Sequence, residues 1–487
     1  MRVGFGPDWR LAGSGALCAA LLGGCATSPV YQKPALDMPV AWKVEAPWRI
    51  STPEDAAAKG PWWLRFGDTQ LNALEQQASS NSPTLALASA RLAQARANLD
   101  ASSASAFPQL ALGARAARQR ISANRPLTNY NSQNFSTLQN DFVPSLSASY
   151  ELDLAGRVSS SIASARASAE QAGADFENIR LLQSADLATN YFNLRALDVE
   201  LDVLQRSIAL QNRALELVSS RHELGAATGL DVAQQQALLD TTLVQVDVLR
   251  RQRGQFEHAI ATLAGIPAPL FSLAPDARAL TPPAVPLGLP SDLLERRPDI
   301  ASAERAMAAA NAQIGVANAA FYPSIILGSA LGAESNRLST LFDAPSLLWS
   351  LGLSATEVLF DGGRIKANLE VAKLGHTAAV ANYRRVVLGA MQEVEDGITG
   401  LAALDRASAQ ARIAVNTASR VLDMATARYE GGASAYLDVI TAQQSWLASE
   451  RQASQLLGQR LVTSVFLVKA LGGDWQPVPQ TVSKNQP

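Results

Sequence analysis

The residue types that most often carry catalysis or bind metals are few and scattered in this sequence. Its 487 residues include three histidines, His222, His258 and His376, and each falls in a stretch with helical periodicity. The sequence has neither a Cys/His cluster with zinc spacing nor a glycine-rich phosphate loop or nucleophile elbow. A single histidine on a helix is far more often structural than catalytic. We therefore expect no enzyme activity, no cofactor and no metal site.

Acidic residues in a repeated motif are better candidates for a functional role. Residues 221–232 read RHELGAATGLDV and residues 428–439 read RYEGGASAYLDV, which align without a gap at an offset of 207 (428 minus 221). In each copy a glycine can end one helix in a left-handed cap, and an aspartate can be the N-cap of the next: Gly225 with Asp231, and Gly432 with Asp438. Alternatively, chain symmetry can place these carboxylates in rings, where they raise one another's pKa and attract cations.

The match between the two copies continues for more than one hundred residues, so the protein is a tandem duplication. The same offset relates Gly156-Arg157 to Gly363-Arg364, Gln236 to Gln443 and Gly265 to Gly472. Upstream the offset becomes 215, which pairs Pro83 with Pro298, Leu99 with Ile314 and Pro108 with Pro323. The first copy therefore has eight extra residues (215 minus 207), which belong in an exposed loop. Two long copies do not form a solenoid, so we expect a protomer with two-fold pseudo-symmetry.

The N-terminal segment has the features of a secretory signal peptide. Arg2 and Arg10 precede an apolar run over residues 11–22 that is too short to span a bilayer as a helix. The run ends in LGGC at Cys25, which is similar to the lipobox of bacterial lipoproteins. We expect Cys25 to be acylated, for example with palmitate, and to anchor the chain in the outer membrane, because Ala26 is not the aspartate that causes inner-membrane retention. A signal peptide without lipidation is the alternative.

Composition excludes several other classes of protein. The second cysteine, Cys18, lies in the segment expected to be removed, so the mature chain would have no internal disulfide. A formal net charge of -2 and the lack of a basic tract argue against nucleic-acid binding. No later run of about 18 apolar residues predicts a transmembrane helix.

Periodicity predicts long helices in both copies. From residue 187 to residue 218 the apolar residues recur at steps of three and four, which indicates a helix with one narrow buried stripe: Leu187, Tyr191, Leu194, Leu197, Leu201, Leu204, Ile208, Leu215 and Val218. About forty residues of helix span roughly 60 Å, more than a compact domain usually needs. We expect antiparallel coiled-coil hairpins over about 183–264 and 366–471.

Two further regions change from helical periodicity to alternation. Residues 146–153 and 349–356 alternate apolar with small polar residues, and residues 110–121 and 323–333 give weaker strand signals. We expect β-hairpins at about 107–154 and 322–360. Such strands suit a membrane β-barrel with a wet lumen, whereas a half-buried hairpin on a soluble core is the alternative. Because four strands leave open edges in lipid, closure requires other copies of the chain, and three copies would give twelve strands.

Several long motifs resemble one family. Four runs are similar to those of outer-membrane efflux factors. They are LLERRPDIASAERAMAAANAQIGVANAAFYPSI from residue 293, WWLRFGD from residue 62, and the LDLAGR and LFDGGR runs that close the strands. The resemblance is to the TolC and OprM superfamily, in its lipoprotein (NodT-like) branch. It implies an α+β homotrimer with a twelve-stranded outer-membrane barrel, a long periplasmic helical tunnel and a mixed equatorial domain. Such proteins are passive ducts, loaded by an inner-membrane pump and a periplasmic adaptor.

The resemblance also implies roles for residues near the two helical tips. A periplasmic gate would be formed by Asp231, Asp438 and Tyr429. The sequence departs from well-studied members at Ser434, where they have arginine, and at Thr441, where they have a second acidic ring. The tips at residues 224–228 and 431–435 consist of small residues, which would let a helical hairpin of the adaptor approach closely. The expected contact residues are Leu224, Gly225, Ala226, Gly431, Gly432 and Ala433.

The expected domain organisation follows from these elements. Residues 1–24 are the signal peptide, 25–60 a lipid-anchored tether, 61–275 the first repeat, 276–292 a linker, 293–473 the second repeat and 474–487 a tail. We expect an exit duct of a tripartite efflux system for small toxic compounds, with a resistance-nodulation-division pump. A type I protein-secretion duct is an alternative, and four scattered methionines in the mature chain argue against a copper or silver relay. A periplasmic coiled-coil adaptor or scaffold lipoprotein is the alternative from a different class.

Overall fold

The computed structural model describes residues 29–33, 42, 61–120, 138–278, 280–283 and 297–473. The expected signal peptide, the acylation site Cys25, nearly all of the tether and the tail at 474–487 lie outside these residues. Within the described ranges, none of the helices combines the length and the hydropathy that a membrane span requires.

Seven α-helices are present in the described part of the chain, and their bounds repeat the duplication. They are α1 (Thr69–Asn81), α2 (Pro83–Ala104), α3 (Arg157–Glu223), α4 (Gly229–Leu263), α5 (Pro298–Ala319), α6 (Arg364–Glu430) and α7 (Tyr436–Ala470). Helices α3 and α6 have 67 residues each, α4 and α7 have 35 each, and both pairs start 207 positions apart (364 minus 157; 436 minus 229). Helices α2 and α5 have 22 residues each and start 215 apart (298 minus 83). The duplication is therefore also structural.

Helix α3 begins earlier than the sequence analysis expected. It starts at Arg157 rather than near residue 183, which makes it about 100 Å long at ~1.5 Å per residue. In the added part the buried face consists of small residues, including Ser160, Ser164, Ala167 and Ala174. A face of alanine and serine produces no large apolar stripe, so periodicity could not reveal it.

An aspartate that precedes each long helix satisfies its first backbone amides. The Asp153 carboxylate accepts from the amides of Val158 (2.8 Å) and Ser159 (2.7 Å). Before α6, the Asp361 carboxylate accepts from the amide of Ile365 at 2.8 Å. These aspartates belong to the LDLAGR and LFDGGR runs, so the two runs start the long helices directly after the strands.

The strands form one antiparallel sheet with the predicted hairpins. In the order β1-β2-β3-β4 these are Gln109–Arg120, Leu138–Leu152, Ser324–Ala333 and Leu347–Thr356. Strands β1 and β4 are the edges, and neither has a second strand partner among the described residues. The sheet therefore has two backbone edges available for pairing.

The register separates two chemically different faces of the sheet. Directly paired residues share a face, and one row across all four strands is Leu112, Leu146, Leu331 and Trp349. The adjacent row is Ala111, Ser147, Ala330 and Ser350, on the opposite face. The large apolar side chains are exposed, Leu112 by 83% and Trp349 by 75%. A contiguous exposed apolar face of this kind is typical of an interaction or membrane surface.

Contacts divide the chain into two compact units that do not coincide with the sequence repeats. One contains the described parts of Ala93–Gln171, Ala303–Asn382 and residues 1–34, and it includes the sheet. The other contains the described parts of Ala172–Ser302, Tyr383–Pro487 and residues 35–92. In this second unit the predicted stripe of α3 is buried, as at Leu187, Leu194, Leu204 and Val218. The apolar periodicity therefore identified the packed face correctly.

The WWLRFGD run is the start of the second unit's helical packing. Trp62–Phe66 forms a 3-10 helix, and the Asp68 carboxylate caps α1 by accepting from the Gln70 and Leu71 amides. The same carboxylate accepts from the Tyr191 hydroxyl at 2.7 Å and pairs with Arg278 at 2.9 Å. One buried acid thus connects α1, α3 and the segment that follows α4.

Candidate functional site

The two hairpin tips turn with the same backbone geometry. In the first tip the Gly225 amide donates to the His222 carbonyl (2.9 Å) and the Ala226 amide to the Arg221 carbonyl (2.7 Å). The second tip repeats both bonds at the equivalent positions, at 3.0 and 2.8 Å. Gly225 has φ 74° and Gly432 has φ 72°, a left-handed conformation that glycine adopts without steric cost. The prediction that these glycines end the helices is confirmed.

The helices after the tips start three residues earlier than an aspartate N-cap would require, so that prediction is wrong. Thr228 is the N-cap of α4, and it forms a capping box with Asp231, whose carboxylate accepts from the Thr228 amide at 2.8 Å. Ala435 is the N-cap of α7 and its side chain makes no capping bond. Asp231 is therefore engaged in a cap, whereas Asp438 is exposed and its carboxylate has no hydrogen bond or ion pair within the described residues.

An apolar cluster in this unit joins the two tips. It contains Val218 of α3, Leu238 of α4, Tyr429 of α6, and Tyr436, Val439 and Ile440 of α7. The rings of Tyr429 and Tyr436 lie 4.8 Å apart, centroid to centroid. Aromatic pairs at this distance stabilise beyond the burial of their area, so the cluster holds the ends of four helices together.

A buried hydrogen-bond chain crosses from the second hairpin to the first. The Tyr436 hydroxyl donates to Gln235 Oε1 at 2.8 Å, and Gln235 Nε2 donates to the Gln211 carbonyl at 2.9 Å. Gln211 Nε2 then donates to the Ser207 hydroxyl at 3.0 Å. Burial raises the pKa of Tyr436 above its ordinary value, and the nearby Tyr429 and Asp231 raise it further. The hydroxyl therefore remains a neutral donor at physiological pH.

Arg221 clamps the end of the neighbouring long helix. Its Nη1 donates to the Tyr429 carbonyl at 3.1 Å and its Nη2 to the Glu430 carbonyl at 3.2 Å. The guanidinium also lies 4.8 Å from the centre of the Tyr429 ring. A cation at the last carbonyls of a helix is stabilised by the helix dipole. The equivalent Arg428 instead donates to the Ala433 carbonyl of its own tip, at 3.4 Å, so the two tips differ in structure at this position.

The remaining residues expected at the gate and tips occupy different environments. Tyr429 is buried, and its hydroxyl has no hydrogen-bond partner among the described residues. Thr441 is exposed and its hydroxyl donates to the Leu437 carbonyl, whereas the hydroxyl of Ser434 is buried. The six expected adaptor contacts, Leu224, Gly225, Ala226, Gly431, Gly432 and Ala433, are all exposed. The tips are thus accessible. The hydrogen bond that joins them, between Tyr436 and Gln235, is buried, and we call this pair the latch.

Sequence reasoning missed Arg221, Tyr436 and Gln235. Arg221 stands at the start of the matched motif and recurs as Arg428, so the duplication drew attention to it without revealing its partner. Tyr436 aligns with Gly229 at the offset of 207, and this break in the match was a signal that one tip differs. The buried position of Gln235 follows only from the packing of α4 against α7.

One of the three histidines, His222, contacts the backbone of the first tip. A ring nitrogen of His222 lies 2.9 Å from the Ala227 carbonyl, which steadies the first tip. In the same described residues, no three His, Cys, Asp or Glu side chains group in a way that could hold a metal ion.

The sequence matches the Outer membrane efflux protein family over residues 74–266 and 289–473. It is 32% identical to the pyoverdine export outer membrane protein OpmQ of Pseudomonas aeruginosa over 95% of this chain and 97% of that protein. It is 29% identical to the cation efflux system protein CusC of Escherichia coli O157:H7, over 94% of this chain and 98% of that protein.

A solved structure, that of the outer-membrane channel OprN, has the same fold. The TM-score is 0.83 at 28% sequence identity, over 93% of this chain and 100% of that chain. The family match covers both repeats and both helical tips, including the strands and the long helices. This chain belongs to the outer membrane efflux protein family, whose members are channels and not enzymes.

Proposed function

We propose that this chain is the outer-membrane exit duct of a tripartite efflux system, and that it moves drugs or other small toxic compounds from the periplasm to the exterior. A periplasmic adaptor and an inner-membrane resistance-nodulation-division pump would load it. The relatives carry names that refer to pyoverdine in one case and to cations in another, so the pump rather than the duct would select the substrate.

The observation that carries this proposal is the sheet with one large apolar face and one face of small polar residues. In lipid, the apolar row from Leu112 to Trp349 would face the hydrocarbon and the row from Ala111 to Ser350 would face water. The edges β1 and β4 would leave backbone groups unpaired in the membrane. Pairing β1 of one chain with β4 of the next in a homotrimer removes every edge and gives twelve strands.

The proposed gate lies at the helical tips. In a trimer, the exposed Asp438 carboxylates would form a ring that narrows the path and attracts cations. Asp231 would contribute mainly through its capping box. Tyr429 would hold the helix ends through its ring, since its hydroxyl makes no bond in the described residues.

The proposed adaptor contact has a direct test at Gly432. A Cβ there would meet no atom within 4 Å, so a large side chain would project from the tip. Both Gly432→Trp and Gly432→Ala place a side chain at φ 72°, and each carries the same backbone strain of roughly 1–2 kcal/mol. Only the tryptophan is bulky. We expect Gly432→Trp to abolish drug efflux and Gly432→Ala to retain it, with both variants still trimeric by crosslinking. Loss of the trimer in Gly432→Trp would assign the glycine a folding role instead.

A drug-susceptibility assay tests the duct itself and separates it from the alternatives. The chain would be expressed with an inner-membrane pump and a periplasmic adaptor in a strain without its own efflux ducts, and resistance to small compounds should return. Restoration of protein secretion without drug resistance would favour the type I secretion duct. Mass spectrometry of the mature N-terminus would test acylation of Cys25, which Cys25→Ser should abolish.

A further inference from the structure

A large cavity lies within the second compact unit, away from the tips. Its volume is about 860 Å³, and its walls come from residues 61–64, α1, α2, α3 and Gly472. The apolar walls include Trp62, Trp63, Leu85 and Leu181. This volume is in the range of small-molecule sites and far exceeds the ~30 Å³ that one water occupies.

Six buried polar atoms without a hydrogen-bond partner within the described residues belong to side chains that line this one cavity. They are Trp62 Nε1, Asn72 Oδ1, Glu75 Oε1, Glu177 Oε2, Gln183 Oε1 and Ser184 Oγ, and of these only Glu177 Oε2 has an ion pair, with Arg180. Four of these side chains are more than nine-tenths buried, and Glu75 is only 2% exposed. Buried polar atoms are nearly always hydrogen-bonded in proteins, so such a concentration indicates that the cavity has an occupant able to form hydrogen bonds.

The chemistry of the lining favours one class of ligand. Four of the six atoms are amide or carboxyl oxygens, and the serine hydroxyl can also accept, whereas the indole nitrogen can only donate. The other charged side chains in the lining are Glu177 and Arg180 of α3, which pair at 2.7 Å. The 3-10 helix, α2 and Gly472 contribute no charged side chain to the lining. The cavity thus offers one unpaired carboxyl group, several acceptors, one donor and aromatic walls.

We propose that this cavity binds a small aromatic amine that also carries an oxygen acceptor. Its ring would lie against Trp62, Trp63 and Leu181. Its ammonium group would donate to Glu75 and to the amide oxygens of Asn72 and Gln183, while the ligand oxygen would accept from Trp62 Nε1. This site goes beyond the proposed duct, because it lies outside both tips and the sheet.

Binding of an amine should release a proton. Burial raises the pKa of Glu75 to about 9, so its carboxyl group is protonated at pH 7.5. An ammonium group beside it stabilises the carboxylate. The Glu75 proton then passes to the buffer, and the bound state is a carboxylate paired with an ammonium ion. A neutral ligand of the same shape would release no proton.

Calorimetry of the purified full chain in detergent tests this proposal, with a detergent-only titration subtracted. The probe is propranolol, a naphthyloxy amino alcohol, and its matched control is the naphthyloxy diol with a hydroxyl in place of the amine. Titration at pH 7.5 in two buffers of different ionisation enthalpy counts the protons released. We expect saturable binding of propranolol with release of about one proton. The diol should bind about 10- to 100-fold more weakly, without proton release.

Two variants locate the site. Glu75→Gln keeps the side chain's size but cannot become a carboxylate, so it should abolish proton release and weaken propranolol binding by about tenfold or more. The exposed Glu370, which does not line the cavity, provides the control Glu370→Gln, which should behave as wild type. Lack of saturable binding to the wild-type chain would overturn the proposal and leave water or polypeptide as the occupant. Equal binding of the diol, or proton release that persists in Glu75→Gln, would also overturn it. None of these readouts depends on conductance or efflux.

Discussion

Removal of one hydroxyl should loosen the latch between the two tips by a predictable amount. The Tyr436 hydroxyl donates to Gln235 Oε1 at 2.8 Å, and these side chains are 3% and 0% exposed. Tyr436→Phe leaves the Gln235 oxygen buried without this donor, which costs roughly 1–3 kcal/mol. Because about 1.4 kcal/mol corresponds to tenfold in an equilibrium, the tip should open roughly 5 to 150 times more often.

The neighbouring tyrosine provides a matched control. Tyr429 packs in the same cluster with its ring 4.8 Å from that of Tyr436, but its buried hydroxyl has no partner among the described residues. Tyr429→Phe therefore removes no hydrogen bond, and it should change tip opening by less than about threefold.

Hydrogen exchange with mass spectrometry, on peptides that cover residues 429–443, measures this opening directly. We expect exchange in these peptides to accelerate in Tyr436→Phe and to remain close to wild type in Tyr429→Phe. Peptides from the sheet should be unchanged in both variants. Equal acceleration in the two variants, or none in Tyr436→Phe, would refute the assignment of Tyr436 and Gln235 as the latch.

Four further predictions concern the two tip aspartates, one tight turn and one buried acid. Asp231→Ala removes a capping box and should destabilise α4 by roughly 0.5–2 kcal/mol. Asp438→Ala should keep the melting temperature but lower cation selectivity, measured as a reversal potential. Gly265→Ala should prevent stable folding, because its Cβ would overlap the Asn81 backbone oxygen at φ 72°; a normal melting temperature would disprove this. Burial raises the pKa of Glu75 from 4.5 to about 9, so the folded chain holds a proton that the unfolded chain loses. Stability should therefore fall as pH rises between these values, and a melting-temperature series should lose that slope in Glu75→Gln.

The regular elements were largely predictable because their signals are local. Apolar steps of three and four identified the buried stripe of α3, and strict alternation identified β2 and β4. Because the sequence is duplicated, an element assigned in one copy predicts the same element in the other copy. The paired helices indeed start 207 or 215 positions apart. The first part of α3 was missed because alanine and serine form its buried face.

The site was only partly predictable because its contacts join distant segments. Tyr436 and Gln235 are 201 positions apart, and no pattern within either segment indicates the other. The turn glycines were predicted because a left-handed cap depends on one residue type. The N-cap assignment failed by three positions, although Thr228 followed by Asp231 has the spacing of a capping box, which was the available signal.

Single-channel conductance in a planar bilayer tests whether this chain is an outer-membrane duct that is closed at its tips. The purified wild-type chain and Asp438→Ala would be compared under identical salt and voltage. An outer-membrane duct that is closed at its helical tips should insert, conduct weakly as wild type, and conduct more in the variant. Failure of both forms to insert and conduct would contradict the account, and a coiled-coil adaptor or scaffold lipoprotein would then explain the helical hairpins better.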